Sequence, residues 1–314
     1  MIFTNGYFKK ISELTDKDIY LVGGSVRDYI IKKEIKDFDI VIQGDAARFA
    51  EGFASSKKAR CIPLDKRNNI SRVVLSNDDD KNITIDFSSL NGKDIYEDLA
   101  KRDFTMNALA VKIEDGKIDF NRVIDPFRGI DDIESNIIRE VNKNIFAEDP
   151  IRMLRAIRFM SQLNFDISDE MYGLINKNNN RIKDIPGEKI SNEIFKILGF
   201  KRAYYYFSFM DKHLGMLSKI FPEIEPMKDV GRCKYHVVDA WTHSMHTMRI
   251  IEKIIYADGY FEEHLRKAYE DHTNQIMANG HTRLQLIKIA ALFHDIGKPK
   301  ARWIDETGRV RLRG

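Results

Sequence analysis

Two aspartates interrupt an apolar run near the start of the chain, where Asp37 and Asp39 alternate with Phe38 and Ile40. Successive side chains of a β-strand point to opposite faces, so this spacing predicts that both carboxylates share one face. Such neighbours repel one another unless they are protonated or hold a divalent cation. The pattern therefore predicts magnesium at these two positions, for chemistry at a phosphate. Asp86, a charge within another apolar run, is the candidate third carboxylate.

A glycine pair precedes these aspartates. The apolar run at 19–22 predicts a strand, which Gly23 and Gly24 end with residues that lack a Cβ, so a ligand can approach the backbone closely. Ser25 is predicted to cap the helix that follows, and Arg27 lies in its first turn, where an anion is favoured. Either motif alone is more often an ordinary turn or a solvated strand edge. Their joint spacing favours transfer of a nucleotidyl group.

This stretch resembles the nucleotidyltransferase superfamily that includes DNA polymerase beta. In detail it is similar to the class II tRNA nucleotidyltransferases (CCA-adding enzymes) and bacterial poly(A) polymerases. Further blocks follow in that family's order, at residues 98–108, 124–129 and 148–159, with Lys101 standing where many members have arginine. The resemblance implies that Asp37 and Asp39 bind Mg²⁺ and that the nucleotide is held at Gly23, Gly24, Arg27 and Arg102.

The last of these blocks predicts a helix with two faces. Four apolar residues share one face, and three arginines fall within an arc of about 120° on the opposite face: Met153, Leu154, Ile157 and Met160, against Arg152, Arg155 and Arg158. A solvated basic face is the alternative interpretation. Against it stands Asp149, because a carboxylate beside a guanidinium is complementary to the amino group and ring nitrogen of cytosine or adenine.

Uracil and guanine would leave buried polar groups unpaired there, at a cost of about 1–3 kcal/mol each. The resemblance implies that Asp149 and Arg152 read the incoming CTP or ATP. It also implies that Arg155 and Arg158 help to hold the nucleotide.

A second constellation lies near the end of the sequence. The segments 241–246 and 290–299 resemble the start of an HD phosphohydrolase domain, and His243, His294 and Asp295 offer ligands that suit a second divalent metal. His246, one turn further on, competes with His243, and either could instead be a histidine buried in the core. Since the sequence stops at Gly314, we expect a truncated HD domain and do not expect hydrolysis.

Composition sets limits on partners and location. The chain has 314 residues, and 51 Lys and Arg against 48 Asp and Glu give a net charge of only +3. A polyanion such as RNA must therefore be met by local patches. Cys61 and Cys233 are far apart and suit a reducing compartment. The sequence contains no apolar run of membrane-spanning length, so we expect no membrane partner and a cytoplasmic location.

The pattern of elements changes near residue 140. Strand-like runs before it, at 19–22, 38–42, 70–75, 82–87 and 108–113, alternate with helical patterns and predict an α/β head. Helices predicted near 150–163, 168–177, 188–199 and 202–211 form an all-α neck and body. We therefore expect a polymerase-beta-like head at 1–140, a nucleotide- and RNA-binding neck and body at 141–222, and an α-helical HD-like domain at 223–314.

From the resemblance, the expected activity is addition of C and A residues to the 3′ end of tRNA from CTP and ATP, with Mg²⁺ and release of pyrophosphate. A poly(A) polymerase or a partial CC- or A-adding enzyme of the same family is the first alternative, since the same head motifs serve all of them. An HD-type phosphohydrolase or nucleotide-sensing module is the alternative of another class.

Overall fold

The computed structural model describes residues 2–4, 6–35, 37–75, 83–231, 237–256, 262–304, 306–307 and 310–312. The chain divides into two compact units, at 1–145 and 146–314. Cys61 is half-buried, and Cys233 lies outside the described residues. In the part of the chain that is described, no helix has both the length and the apolar character needed to cross a membrane.

A mixed sheet forms the centre of unit 1. Its eight strands are β1 (Ile2–Thr4), β2 (Ile19–Val22), β3 (Asp37–Ile42), β4 (Arg60–Asp65), β5 (Ile70–Leu75), β6 (Ile83–Ser89), β7 (Ala110–Glu114) and β8 (Lys117–Asp119). They lie in the order β1-β8-β7-β2-β3-β6-β5-β4. The β3–β6 pair is parallel, and the other pairs are antiparallel. This unit also contains α1 (Gly6–Glu13), α2 (Gly24–Ile30), α3 (Ala46–Lys57), α4 (Ile95–Ala100), α5 (Gly129–Glu134) and β9 (Ile137–Ile138).

The two faces of this sheet are covered differently. On one face Phe38 meets Phe8 of α1, with ring centroids 5.2 Å apart, and Phe87 meets Phe53 of α3 at 5.5 Å. On the other face Val41 belongs to an apolar cluster with residues of α4 and β7. Asp37 and Asp39 alternate with Phe38 along β3 and therefore share the face of Val41. The two carboxylates thus lie on the face that α4 covers.

Unit 2 consists mainly of helices. They are α6 (Ile145–Glu148), α7 (Ile151–Leu163), α8 (Asp169–Asn178), α9 (Gly187–Gly199), α10 (Ala203–Lys212), α11 (Leu217–Ile220), α12 (Ile224–Lys228), α13 (Ala240–Ile255), α14 (Glu263–Asn274), α15 (Arg283–Phe293) and α16 (Lys298–Ala301). Three short strands accompany them: β10 (Asp166–Ile167), β11 (Arg302–Ile304) and β12 (Val310–Leu312). The predicted α/β head and helical region are both confirmed, whereas the predicted domain boundaries at residues 140 and 222 and the HD-like domain stay predictions.

A buried ion pair ties the later helices of this unit to the α9–α10 junction. Lys288 Nζ lies 2.9 Å from Glu252 Oε1 and donates to the carbonyl oxygens of Leu198 and Phe200. The Glu252 carboxylate also accepts bonds from the backbone N–H groups of Ala203 and Tyr204. Since Lys288 is fully buried, these bonds replace the water that its charge loses.

Candidate functional site

The register of β3 and β6 brings the predicted acidic residues to one face of the sheet. Asp39 lies directly opposite Asp86, and Asp37 lies opposite Thr84, whose hydroxyl donates to the Asp37 carboxylate. Side chains at these paired positions point the same way in a parallel ladder. The strand alternation that predicted a shared face for Asp37 and Asp39 thus extends to Asp86 on the neighbouring strand.

The pKa of Asp39 is raised by its surroundings. Desolvation by the surrounding protein is the largest cause and raises the pKa of Asp39 to about 6, with Asp86 and Asp37 acting in the same direction. The nearby guanidinium groups of Arg102 and Arg27 act in the opposite direction. A carboxylate desolvated beside two others favours either a proton or a bound cation.

Asp86 has a partner that the sequence analysis did not identify. Arg72 on β5 lies opposite it in the ladder, and its Nε and Nη2 donate to the two Asp86 oxygens at 2.7 and 2.8 Å. Such a two-pronged bond fixes both the position and the orientation of a carboxylate. Arg72 could have been found in the sequence, because it is a charged residue within the apolar run of β5, just as Asp86 is within that of β6.

The backbone of Gly23 adopts a conformation that residues with a side chain rarely adopt, with φ 63° and ψ −128°. A Cβ on Gly23 would lie 2.7 Å from Arg102 Nη1, and one on Gly24 would lie 3.6 Å from Asp39 Oδ2. The missing side chains therefore let Arg102 and Asp39 come close to the turn. The structure brings the predicted glycines, Arg102 and Asp39 together in unit 1.

The predicted helix cap at Ser25 is wrong. Gly23 occupies the cap position of α2, so Ser25 lies within the helix. Its hydroxyl donates to the Asp37 carbonyl oxygen at 3.1 Å and accepts from the Asp39 N–H at 2.8 Å. Ser25 thus fixes the backbone of the strand that carries both aspartates, which a local pattern of capping residues does not reveal.

Arg27 and Arg102 are both held by neighbouring acids or amides. Arg27 is buried, donates to Asp28 through Nε and Nη2, and donates to Asn107 Oδ1 through Nη1 at 2.6 Å. Arg102 donates to Asp98 Oδ2 through Nε and Nη2 at 3.2 and 3.0 Å. Both guanidinium groups are thus positioned by fixed bonds beside the glycine turn.

In unit 2, the predicted base-reading residues begin at the start of α7. Asp149 Oδ1 accepts from the Ile151 N–H at 3.4 Å, and the Asp149 carbonyl oxygen accepts from the Arg152 N–H at 3.1 Å. The Arg152 guanidinium lies 3.4 Å from Glu148. The N-terminal end of α7 therefore fixes the backbone from which both predicted side chains extend.

Arg158 has a clear structural role. Its Nε donates to Glu193 of α9 at 2.7 Å, and its Nη1 donates to Gln162 at 2.9 Å. Only 13% of its side chain and 7% of that of Glu193 are exposed. This pair joins α7 to α9. Arg155 is half-buried, whereas most of Arg158 is covered by its contact with α9, and the contact of both residues with a nucleotide stays a prediction.

The second constellation also comes together. The ligand atoms of His243, His294 and Asp295 all lie within 4.8 Å of one another. Asp295 Oδ2 is 3.3 Å from His294 Nε2 and 3.9 Å from His243 Nε2. His246 is exposed on α13 and is not part of this group, so the choice of His243 agrees with the geometry.

Two further contacts define this cluster. His294 Nδ1 lies 2.9 Å from the Ala291 carbonyl oxygen, which accepts a hydrogen bond from the Nδ1–H group and leaves Nε2 facing the cluster. Lys298 Nζ lies 2.6 Å from Asp295 Oδ2 and would compete with a metal for that oxygen. The ligand types suit a divalent metal, and the Lys298 ammonium group forms an ion pair with the Asp295 carboxylate.

Comparison with protein families covers both units. Residues 19–139 match the family model described as "Poly A polymerase head domain". Residues 164–228 match the model described as "Probable RNA and SrmB- binding site of polymerase A". The chain belongs to the family of class II tRNA nucleotidyltransferases and poly(A) polymerases. The resemblance of the head and neck motifs to this family is confirmed, and the resemblance of the later segments to an HD domain stays a prediction.

Individual relatives agree with this membership. The chain is 34% identical over 185 residues to the CC-adding tRNA nucleotidyltransferase of Synechocystis sp. The aligned region covers 58% of this chain and 42% of that protein. The chain is 35% identical over 195 residues to the CCA-adding enzyme of Staphylococcus aureus, covering 58% and 46%. The chain thus spans less than half the length of these two relatives.

Among solved structures, the fold is similar to a tRNA nucleotidyltransferase complexed with a primer tRNA and an incoming ATP analog. The TM-score is 0.69 at 23% sequence identity, over 92% of this chain and 75% of that one. At this identity the likeness establishes the fold: the α/β head and helical body predicted from the sequence are those of this class of protein.

Proposed function

We propose that this chain adds cytidine and adenosine residues to the 3′ end of tRNA, using CTP and ATP and releasing pyrophosphate. One observation carries the proposal: Asp39 lies opposite Asp86 on the sheet face that also bears Asp37, and it approaches the glycine turn at Gly24. This arrangement suits a metal-bound triphosphate whose α-phosphate faces an attacking hydroxyl. Relatives named CC-adding and CCA-adding enzymes support tRNA as the acceptor.

Mg²⁺ fits the donor set of this site. Burial disfavours the ionised form of Asp39 and raises its pKa to about 6, and a bound cation would reverse that effect. Carboxylate oxygens from Asp37 and Asp39 are the hard ligands that Mg²⁺ prefers. When bound, the metal supplies a Lewis acid that offsets the charge developing on the α-phosphate.

The residues of unit 1 then divide the remaining work. The glycine turn lets the triphosphate approach the backbone, and the Arg102 guanidinium beside it offsets phosphate charge. The primer 3′-hydroxyl loses its proton to solvent, and its oxygen forms a bond to the α-phosphorus. The bond from that phosphorus to the oxygen bridging to the β-phosphate breaks, and pyrophosphate leaves. Asp86, held by Arg72, faces Asp39 and orients the attacking 3′-hydroxyl. Fixed positions of this kind lower the barrier without further reorganisation.

Selection of the base is assigned to Asp149 and Arg152 in unit 2. A carboxylate that accepts from an exocyclic amino group and a guanidinium that donates to a ring nitrogen are satisfied by cytosine and by adenine. Exchange of the two side-chain types, in the double variant Asp149→Arg with Arg152→Asp, should favour UTP or GTP over CTP and ATP. Relative incorporation of the four triphosphates would measure this change.

The products distinguish full CCA addition from the alternatives within the family. The purified chain is incubated with tRNA lacking its tail and with each labelled triphosphate, alone and in pairs. Addition of two cytidines and then one adenosine supports our proposal. Cytidine addition alone indicates a CC-adding enzyme, and long runs from ATP alone indicate a poly(A) polymerase. No incorporation under any condition would refute the proposal.

We also propose a divalent metal site at His243, His294 and Asp295, because three suitable ligand atoms lie within 4.8 Å of one another. Calorimetric titration with Zn²⁺ or Mn²⁺ should show binding in the native chain and loss of binding in His294→Ala. Hydrolysis of a 2′,3′-cyclic phosphate that survives Asp37→Ala would favour the HD phosphohydrolase alternative. Unchanged binding in His294→Ala would refute this second site.

A further inference from the structure

A polar cleft of about 510 Å³ continues from the carboxylate face of unit 1. It lies between the turn that joins β4 to β5, the end of β6, and the end of α4. Its lining includes Arg67, Ser88, Asn91, Lys101 and Arg102. Apart from Arg102, which also lies beside the glycine turn, the residues of this lining have no assigned role, since the other nucleotide residues lie at that turn and on α7.

The register of the sheet connects the cleft with the carboxylates. Ser88 is two residues beyond Asp86 on β6, so both side chains share one face, about 7 Å apart along the strand. On β5, Ile70 lies opposite Ser88, and Arg72 lies opposite Asp86. A primer strand whose attacking 3′-hydroxyl lies at Asp86 can therefore extend directly into the cleft.

The charge of the cleft is positive. Arg67, Lys101 and Arg102 contribute three cations, and Asp98, which bonds to Arg102, contributes one carboxylate. Arg67 and Lys101 are both exposed and approach the cleft from different elements. The chain as a whole has a net charge of only +3, so this local excess is the kind of patch that a polyanion requires.

The uncharged wall of the cleft is already organised. Asn69 Nδ2 donates to Ser89 Oγ at 2.8 Å and to Asp45 Oδ1 at 3.1 Å, while Asn69 Oδ1 accepts from the Ala47 N–H at 3.0 Å. Ser89 Oγ donates to the Gly44 carbonyl oxygen at 2.7 Å. Side chains fixed in this way lose little conformational freedom when a ligand binds.

The chemistry of the lining favours a nucleic-acid backbone over a free nucleotide. Sites for small ligands are mostly apolar, with aromatic groups that cover a base, whereas Ile70 and Leu90 are the apolar residues of this lining. Arginine, lysine, serine and asparagine side chains are the usual partners of phosphate and sugar groups. A strand held mainly through its backbone matches this composition.

We propose that this cleft binds the phosphates of the RNA primer that precede its attacking 3′-hydroxyl, with Arg67 and Lys101 as the main phosphate contacts. The inference rests on the proposed transfer reaction and adds to it a path for the acceptor strand. Because phosphate contacts carry no base information, the cleft accepts primers of different sequence.

Binding of a fluorescent tRNA lacking its tail, measured by anisotropy at several salt concentrations, tests the proposal. Arg67→Ala and Lys101→Ala should each weaken binding about fivefold near 0.1 M salt and reduce the slope of log K against log salt by about 1. Lys101→Arg, which keeps the positive charge, should bind the tRNA as tightly as the native chain does. Arg60→Ala, which removes an exposed cation of β4 outside the cleft, should leave both values unchanged.

Single-turnover incorporation separates this inference from the proposed function. The half-saturating concentration of primer should rise in Arg67→Ala and Lys101→Ala, while the half-saturating concentration of CTP stays unchanged. Native-like primer binding in both variants would overturn the inference, as would a rise in the value for CTP alone. Absence of incorporation by the native chain would instead refute the transfer reaction, and the anisotropy result would still decide whether the cleft binds RNA.

Discussion

Asp39→Asn should stabilise the metal-free protein at neutral pH, although it should abolish activity. Burial raises the pKa of Asp39 from 3.8 to about 6 in the folded state. The folded state therefore binds a proton more tightly than the unfolded state, and stability falls as pH rises from about 4 to about 6. A shift of about 2 pKa units corresponds to about 3 kcal/mol at neutral pH.

An asparagine at this position carries no charge, so the variant escapes this cost. We expect it to be more stable than the native chain by about 2–3 kcal/mol at pH 7.5 in EDTA, and equally stable near pH 4. Added Mg²⁺ should narrow the difference, since it stabilises only the chain that binds it.

Urea-dependent hydrogen exchange of peptides from β3, corrected for intrinsic rates, reports the opening free energy of unit 1 itself. Asp16→Asn, a change of the same kind at an exposed position, serves as the control and should change stability by less than about 0.5 kcal/mol. A destabilised Asp39→Asn variant, or a difference that does not vary with pH, would refute the account of Asp39.

Three further substitutions address other parts of the structure. Gly23→Ala should weaken CTP binding and destabilise unit 1 by about 1–3 kcal/mol, because φ is 63° and its Cβ would meet Arg102, as measured by calorimetric titration and urea unfolding. Lys288→Met should cost about 3–5 kcal/mol, since it leaves a buried glutamate without its cation, and the fluorescence of Trp241 reports that unfolding. Arg158→Gln should lower stability more than it lowers CTP affinity, because its main bond is to Glu193.

Each substitution has a matched control. Gly52→Ala adds a methyl group within α3, where its Cβ would meet nothing within 4 Å, and should stabilise by about 0.5–1 kcal/mol. Lys253→Met changes an exposed lysine of α13 and should have an effect below about 0.5 kcal/mol. Arg155→Gln should reduce CTP affinity more than stability. The reverse order of effects in Arg155→Gln and Arg158→Gln would contradict the roles assigned to them.

Local patterns predicted the parts of the site that depend on local geometry. The alternation of Asp37 and Asp39 fixed their shared face because a strand has a period of two. Gly23 was predicted at a turn because a strand ends there. The arginine face of α7 followed from the period of a helix. These features need no knowledge of which elements pack together.

Features that depend on distant pairing were missed. Arg72 meets Asp86 because β5 pairs with β6 in a register that places the two residues opposite each other. Local sequence patterns do not predict that register. Arg158 meets Glu193, which is 35 residues away in the sequence, through the packing of α7 against α9. Ser25 bonds to β3 instead of capping its own helix, because tertiary bonds outweighed a local preference.

Titration of Mn²⁺ into the chain with CTP, followed by electron paramagnetic resonance, tests the central claim most directly. We expect the native chain to bind manganese in a nucleotide-dependent way. Asp37→Asn and Asp39→Asn should each lose both this binding and the incorporation of cytidine. Native-like manganese binding and incorporation in both variants would contradict the claim that these two carboxylates hold the catalytic cation.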